Sequence, residues 1–218
     1  MPLERHRAVP LVAAVLGDLL PGPGGEPARV RAALAYVNQA FGRALAEPFT
    51  LVGERLDGVL ADPAQTPLCL TVLREQLAPR LLRVGVGVGR VGAPPGPDGR
   101  PRDPYALARE ALALAARDEG LTRYLGTGAA GDVLLSALCR LVDPLLRERT
   151  PKQWEAIRAY RELGHQRAVA ARLGVTRQSV GDRLAAGHRR AVDEADAAVA
   201  AYLSWLQSPR RPAAEPPA

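Results

Sequence analysis

Arg177 and Gln178 are the side chains of this chain best suited to reading another molecule. A guanidinium can donate two parallel hydrogen bonds to a guanine edge, and a carboxamide can both donate to and accept from an adenine edge. Either can do so only when it projects from the first turn of a helix lying in a major groove. The segment QRAVAARLGVTRQSVGDRL, residues 166–184, has the pattern of such a helix-turn-helix. Val169 and Leu173 face inward, Ala170 is small enough for two helices to pack closely, and Gly174 permits the positive φ of a sharp turn. Val175 plugs the corner, Thr176 caps the next helix, and Val180 and Leu184 hold that helix down. Thr176, Arg177, Gln178, Gly181 and Asp182 are left facing outward, with Arg183 beside them. Gln166, Arg183, Arg189 and Arg190 are placed to meet phosphates rather than bases. Asp182 opposes close docking on a polyanion. A helical hairpin of unrelated purpose would need the small alanine, the turn glycine and four apolar positions to coincide by chance.

The elements that must position these residues are legible on both sides. Thr150-Pro151-Lys152-Gln153 is a capping box with proline at the first helical position, so a helix and a domain start there. Trp154, Ile157 and Tyr160 share one face of it, and Gly164 ends it. Downstream, Val192, Ala195, Val199, Tyr202 and Leu206 draw a seam along one helix at spacings of three and four. That seam fits a helix packed on its own domain and a homodimer contact equally well.

Composition sets the wider class. At 218 residues, 47% hydrophobic and 24% charged, the chain can bury a core in two small domains. Only 4% is aromatic, so that core must rest on Leu, Val and Ala. The net charge of +6 is compatible with a polyanionic partner but too mild to imply one, with 29 basic residues against 23 acidic. Cys69 and Cys139 lie far apart in apolar helical contexts and read as buried reduced thiols. Arg5, His6 and Arg7 before an apolar run imitate a signal peptide, but no small-residue cleavage site follows. No apolar stretch reaches the ~18 residues a membrane span needs. These features imply a soluble cytoplasmic protein without membrane contact.

The first 149 residues read as α+β. VPLVAAVLGDLL is a strand buried on both faces. A loop follows from Pro21 to Pro27, then an amphipathic helix from Ala28 to Leu45. PFTLVGERLDGVL reads as a hairpin turning at Gly53 and Glu54, and Pro67 to Pro79 as a helix. In RVGVGVGRVG, β-branched valines alternate with glycines, which strips one face of side chains and implies close approach by backbone or ligand. Asp103-Pro104 caps a helix running to about Asp118. GDVLLSALCRLV is a further helix, bent or ended at Asp143-Pro144. The Pro/Ala tail from Ser208 reads as disordered.

In order, VLGDLL, LVGERLDGVL, and RVGVGVGRVG followed by YALAREALALAARDEG, then a helix-turn-helix, resemble the SatD family. That resemblance implies a small cyclase/palm-like, ferredoxin-like sheet over residues 1–149. It also implies an all-α helix-turn-helix domain over 150–207 and a tail over 208–218. In cyclase-like palms a carboxylate ending the first strand and another at the hairpin turn bind two divalent ions. Asp18 and Glu54 hold those positions here. The family's hairpin reads close to GDEFQG, whereas this chain reads GERLDG, with a longer acid at Glu54 and a cation at Arg55 that opposes metal binding. No cofactor is required by this reading, and Mg2+ or a nucleotide is the ligand the resemblance would bring. The expected function is that of a sequence-specific regulator binding double-stranded DNA as a homodimer, its first domain sensing a ligand or dimerising. The alternative is a metal-dependent nucleotidyl enzyme with an accessory helix-turn-helix.

Overall fold

A computed structural model describes residues 9–22, 26–97, 99 and 101–208. The expectations for Arg5 to Arg7 and for the tail beyond Ser208 fall outside them. Strand β1 (Val12–Leu19) is central, antiparallel to β3 (Arg55–Leu60) on one side and to β4 (Leu82–Gly89) on the other. The hairpin adds β2 (Leu45–Val52) outside β3, and β5 (Thr122–Leu125) runs parallel to β4, giving the order β2-β3-β1-β4-β5. The protein is therefore α+β with a mixed five-stranded sheet. Among the described residues, no helix is long and apolar enough to cross a membrane.

The period of two along β1 divides the two faces. Ala13, Val15 and Leu19 enter the main core with α1 (Pro27–Ala40) and α2 (Thr66–Leu77). Val12 and Ala14 join Val59 and Ala108 beneath α3 (Pro104–Arg117) on the opposite face. On β4 the valines Val84, Val86 and Val88 fill the main core, which leaves the glycines facing α3. A Cβ on Gly85 would lie 2.2 Å from Leu112 N, and one on Gly87 would lie 2.0 Å from Pro104 O. The close approach implied by the glycines is therefore made by the backbone of α3. That helix begins as expected, with the Asp103 carboxylate accepting from Tyr105 N and Ala106 N.

Two expectations need correction. Helix α1 stops at Ala40 rather than Leu45, because Leu45 already belongs to β2. Phe41, which caps the end of α1, and Leu45, the first residue of β2, kept the helical spacing because both lean on the main core. Helix α4 (Ala129–Arg147) is not ended by Asp143-Pro144 but runs through it. Proline there removes one backbone donor, and the Asp143 carboxylate is engaged elsewhere, accepting from Leu121 N at 2.6 Å and Thr122 N at 3.3 Å. Those contacts pin β5, a four-residue strand too short to give a periodic signal.

The C-terminal helices are α5 (Pro151–Leu163), α6 (Gln166–Leu173), α7 (Arg177–Ala186) and α8 (Arg189–Gln207). The seam on α8 is satisfied within the chain. Val199 and Leu203 are buried in the main core, and Val192 packs with Trp154, Leu146 and Leu121. Both cysteines are buried and free, and burial pushes each thiol up to about 12.

The glycine contact predicts a sharp asymmetry. Gly87→Ala should cost about 2–4 kcal/mol, because the new methyl meets helix backbone that cannot rotate away. Gly53→Ala, at an open turn with φ 65°, should cost only about 1 kcal/mol. Urea midpoints of the two variants measure the difference, and equal losses would contradict the packing.

Candidate nucleic-acid interface

The three helices α5, α6 and α7 share an apolar cluster of their own. Ala156, Ile157, Ala159, Val169, Ala170, Val180 and Leu184 are buried in it, and Leu173 and Val175 pack at its edge. Each helix start is satisfied locally. Gln153 N donates to Thr150 Oγ1 while Thr150 N donates to Gln153 Oε1, completing the capping box. His165 caps α6, its Nδ1 accepting from Ala168 N at 3.2 Å, a role that the sequence reading missed. Thr176 Oγ1 accepts from Ser179 N at 3.1 Å and starts α7. Between α6 and α7, Gly174 has φ 64°, so the turn is made at the residue able to make it.

Arg177 and Gln178 stand exposed on the first turn of α7, with no side-chain hydrogen bond or ion pair among the described residues. Gly181 and Asp182 continue that face, and the Gln166 amide lies 3.7 Å from where a Cβ on Gly181 would stand. The flanking arginines differ from one another. Arg190 is 88% exposed and pairs at 2.7 Å with Glu194 one turn on, a surface bond that is weak and readily exchanged. Arg189 lies 4.6 Å over the Tyr160 ring and bonds to Asp193. Arg183 turns toward Glu155 on α5, 3.8 Å away, and is largely covered. Of the cations assigned to phosphates, Arg190 is therefore the most available.

The other predicted pair, Asp18 and Glu54, is brought together. Leu19 N donates to Glu54 O, and both acids line an open groove of about 680 Å3 with Leu16, Val52, Arg55 and Asp57. The groove exists because α3 covers only part of its face of the sheet, leaving Leu16 and Asp18 half-exposed. Each acid already has a cation. Arg55 Nε is 3.1 Å from Asp18 Oδ1, and Arg80 Nη2 is 2.6 Å from Glu54 Oε1. Among the described residues, no group of three or more His, Cys, Asp or Glu could hold a metal ion. The donor set as it stands does not fit a divalent cation.

Helices α5 and α8 are locked to the sheet layer by charge. Glu75 of α2 is 1% exposed and takes a bidentate bond from Arg161 of α5, at 2.7 and 2.8 Å. Arg161 also reaches Asp193 of α8 at 3.5 Å. Beside them, Thr71 Oγ1 donates to Asp196 Oδ2 at 2.6 Å. Burial pushes the Asp196 carboxyl up to about 6, outweighing the Thr71 hydrogen bond and the nearby Arg74, which pull it down. Arg149 lies 4.6 Å over the Trp154 ring and donates to Gly187 O at 2.7 Å, tying the end of α7 to the stretch before α5.

No family model matches this chain, and no curated protein matches it significantly. Among solved structures it is similar to a regulator of polyketide synthase expression from Bifidobacterium adolescentis, at 18% identity over 90% of this chain and 84% of that one. The TM-score is 0.26, too low to carry fold or function across.

The raised Asp196 carboxyl makes stability depend on pH with a defined sign. Its folded pKa lies above its unfolded value, so its favourable contribution is complete below about pH 4 and is lost as pH rises through about 6. Asp196→Asn keeps an oxygen for the Thr71 hydroxyl and removes the buried charge. At pH 7.5 the variant should exceed the parent by about 1–3 kcal/mol, and the gain should vanish near pH 4. Urea unfolding at both pH values measures it, and a gain independent of pH would refute the cause.

Proposed function

We propose that this chain is a sequence-specific DNA-binding regulator whose α5, α6 and α7 form a helix-turn-helix with α7 as the reading helix. The observation that carries it is the pair Arg177 and Gln178, exposed and unpartnered at the start of a rigidly capped helix. In this reading the two side chains meet base edges, the Thr176 region sits against the backbone, and Gln166 and Arg190 meet phosphates. Arg183 and Arg189, already engaged by Glu155 and Asp193, support the phosphate contacts by exchanging partners.

The first 149 residues then form the regulatory half. The order β2-β3-β1-β4 with every neighbour antiparallel, and α1 and α2 on one face, supports the ferredoxin-like, cyclase/palm-like reading. It accords with the resemblance to the SatD family, to which β5 and α4 would be additions. The half from 150 to 207 carries the DNA contact, and two copies span adjacent half-sites.

Binding-site selection followed by fluorescence anisotropy tests this reading. The parent should prefer its selected duplex over random duplex, with affinity falling as salt rises. Arg177→Ala should lose about 5- to 100-fold of that preference while changing random-duplex affinity far less. Undiminished preference would remove α7 as the reading helix.

The enzymatic alternative draws on Asp18 and Glu54 sharing one groove. Incubation with nucleoside triphosphates and Mg2+ or Mn2+ distinguishes it: a product that disappears in Asp18→Ala would favour catalysis. The arginine pairing of both acids leads us to expect none.

A further inference from the structure

We propose that the outer face of α4 is the docking surface for a second copy of this chain. Helix α4 buries Leu135, Cys139 and Leu146 on its inner side. Its outer side is also apolar. Val133, Leu134 and Leu141 are 71%, 57% and 73% exposed, with Ala137 and Pro144 on the same arc. Of the nine large hydrophobic side chains exposed among the described residues, three lie on this one face. Scattered exposed leucines are ordinary, but a contiguous apolar stripe on a monomer marks an interface.

Three features point to a second copy as the occupant. The stripe is self-complementary, since Val133 and Leu141 each lie four residues from Ala137. Two such helices crossing antiparallel at Ala137 set Val133 of each copy against Leu141 of the other, with only alanine methyls between the backbones. Such a contact closes on itself, as a two-fold interface must. Its size is sufficient: a helix of nineteen residues is about 28 Å long and about 10 Å across. Buried on both copies with its rim, that face removes on the order of 1,000 Å2 from water, the lower bound for a specific interface. The charge balance also permits it. The chain carries +6, but the rim cations Arg140 and Arg147 turn to their own chain, Arg140 toward Asp118 at 3.1 Å and Arg147 toward Glu119 O, and an antiparallel crossing at Ala137 sets neither of them opposite its own counterpart.

The proposal deepens the two-copy reading above and rests on it for its purpose, though not for its physics. With the α8 seam consumed inside the chain, α4 supplies the surface that reading needs. Sedimentation of the full chain from 1 to 100 µM should give twice the 23.2 kDa of one copy. Leu141→Asp should sediment as a monomer with unchanged circular dichroism and Tm, because that side chain faces water in the single chain. Ala137→Cys should form a disulfide-linked dimer on mild oxidation, since Cys69 and Cys139 are buried and cannot compete. A parent that stays monomeric at 100 µM, a dimer that persists in Leu141→Asp, or an Ala137→Cys chain that does not cross-link would each overturn it. Random-duplex binding by the Leu141→Asp monomer is read alongside. A parent dimer that binds no DNA keeps the pairing and removes the DNA reading, and a parent monomer that binds DNA does the reverse.

Discussion

A carboxylate with almost no access to water must be met by a cation, and in this chain that demand joins the sheet layer to the C-terminal helices. Glu75 projects from α2 in the sheet layer, and the guanidinium that answers it comes from Arg161 on α5, 86 positions later. A buried ion pair contributes little net stability over an apolar alternative, whereas an unmatched one costs about 3–5 kcal/mol. Its value here is positional. The sheet layer cannot part from α5 without exposing or stranding Glu75, so the angle of α5 on α2 is set by a two-point contact. Asp193 and Asp196 extend the same ionic layer onto α8, and Trp154 and Val192 seal it with apolar contact.

The sheet itself is lopsided for a comparable reason. Valines on one side of β4 and glycines on the other let α3 rest its backbone directly on the strand. A helix lying so close covers little width. The β2–β3 end of that face is consequently left open, and the groove beside Asp18 and Glu54 is what remains uncovered. Arg55 at its edge and the buried Arg80 beneath pair with the acids that a metal would otherwise use.

The parts that the sequence made legible are those governed by local rules. The caps at Asp103, Thr150 and Thr176, the turn at Gly174 and the hairpin at Gly53 all stand where residue type alone places them. Alternating glycines announced a close approach but could not name the approaching atom, because that depends on a helix twenty residues further on. Strand β5 was invisible for a different reason. Four residues carry no period, and its hold comes from Asp143, whose carboxylate looked like half of a helix stop. The seam on α8 and the exposed stripe on α4 show the same limit from opposite sides. Apolar spacing reports that a face will be covered, while only the tertiary packing says by what. For the candidate interface, Arg177 and Gln178 were legible, but the inward turn of Arg183 depended on Glu155, a long-range partner.

Helix α8 runs from the α5–α7 cluster into the sheet layer, with Val199 and Leu203 set in the main core and Val192 beside Trp154. It is therefore a strut. Its far end is held in the sheet layer, and its near end follows directly on α7 through His188, held in the left-handed conformation at φ 49°. The near end is held as well, by Val192 against Leu121 and by Asp193 against Arg161. A rod fixed at two separated points cannot tilt without breaking one of them. The placing of α7 is thus inherited from the sheet layer through a single rigid helix.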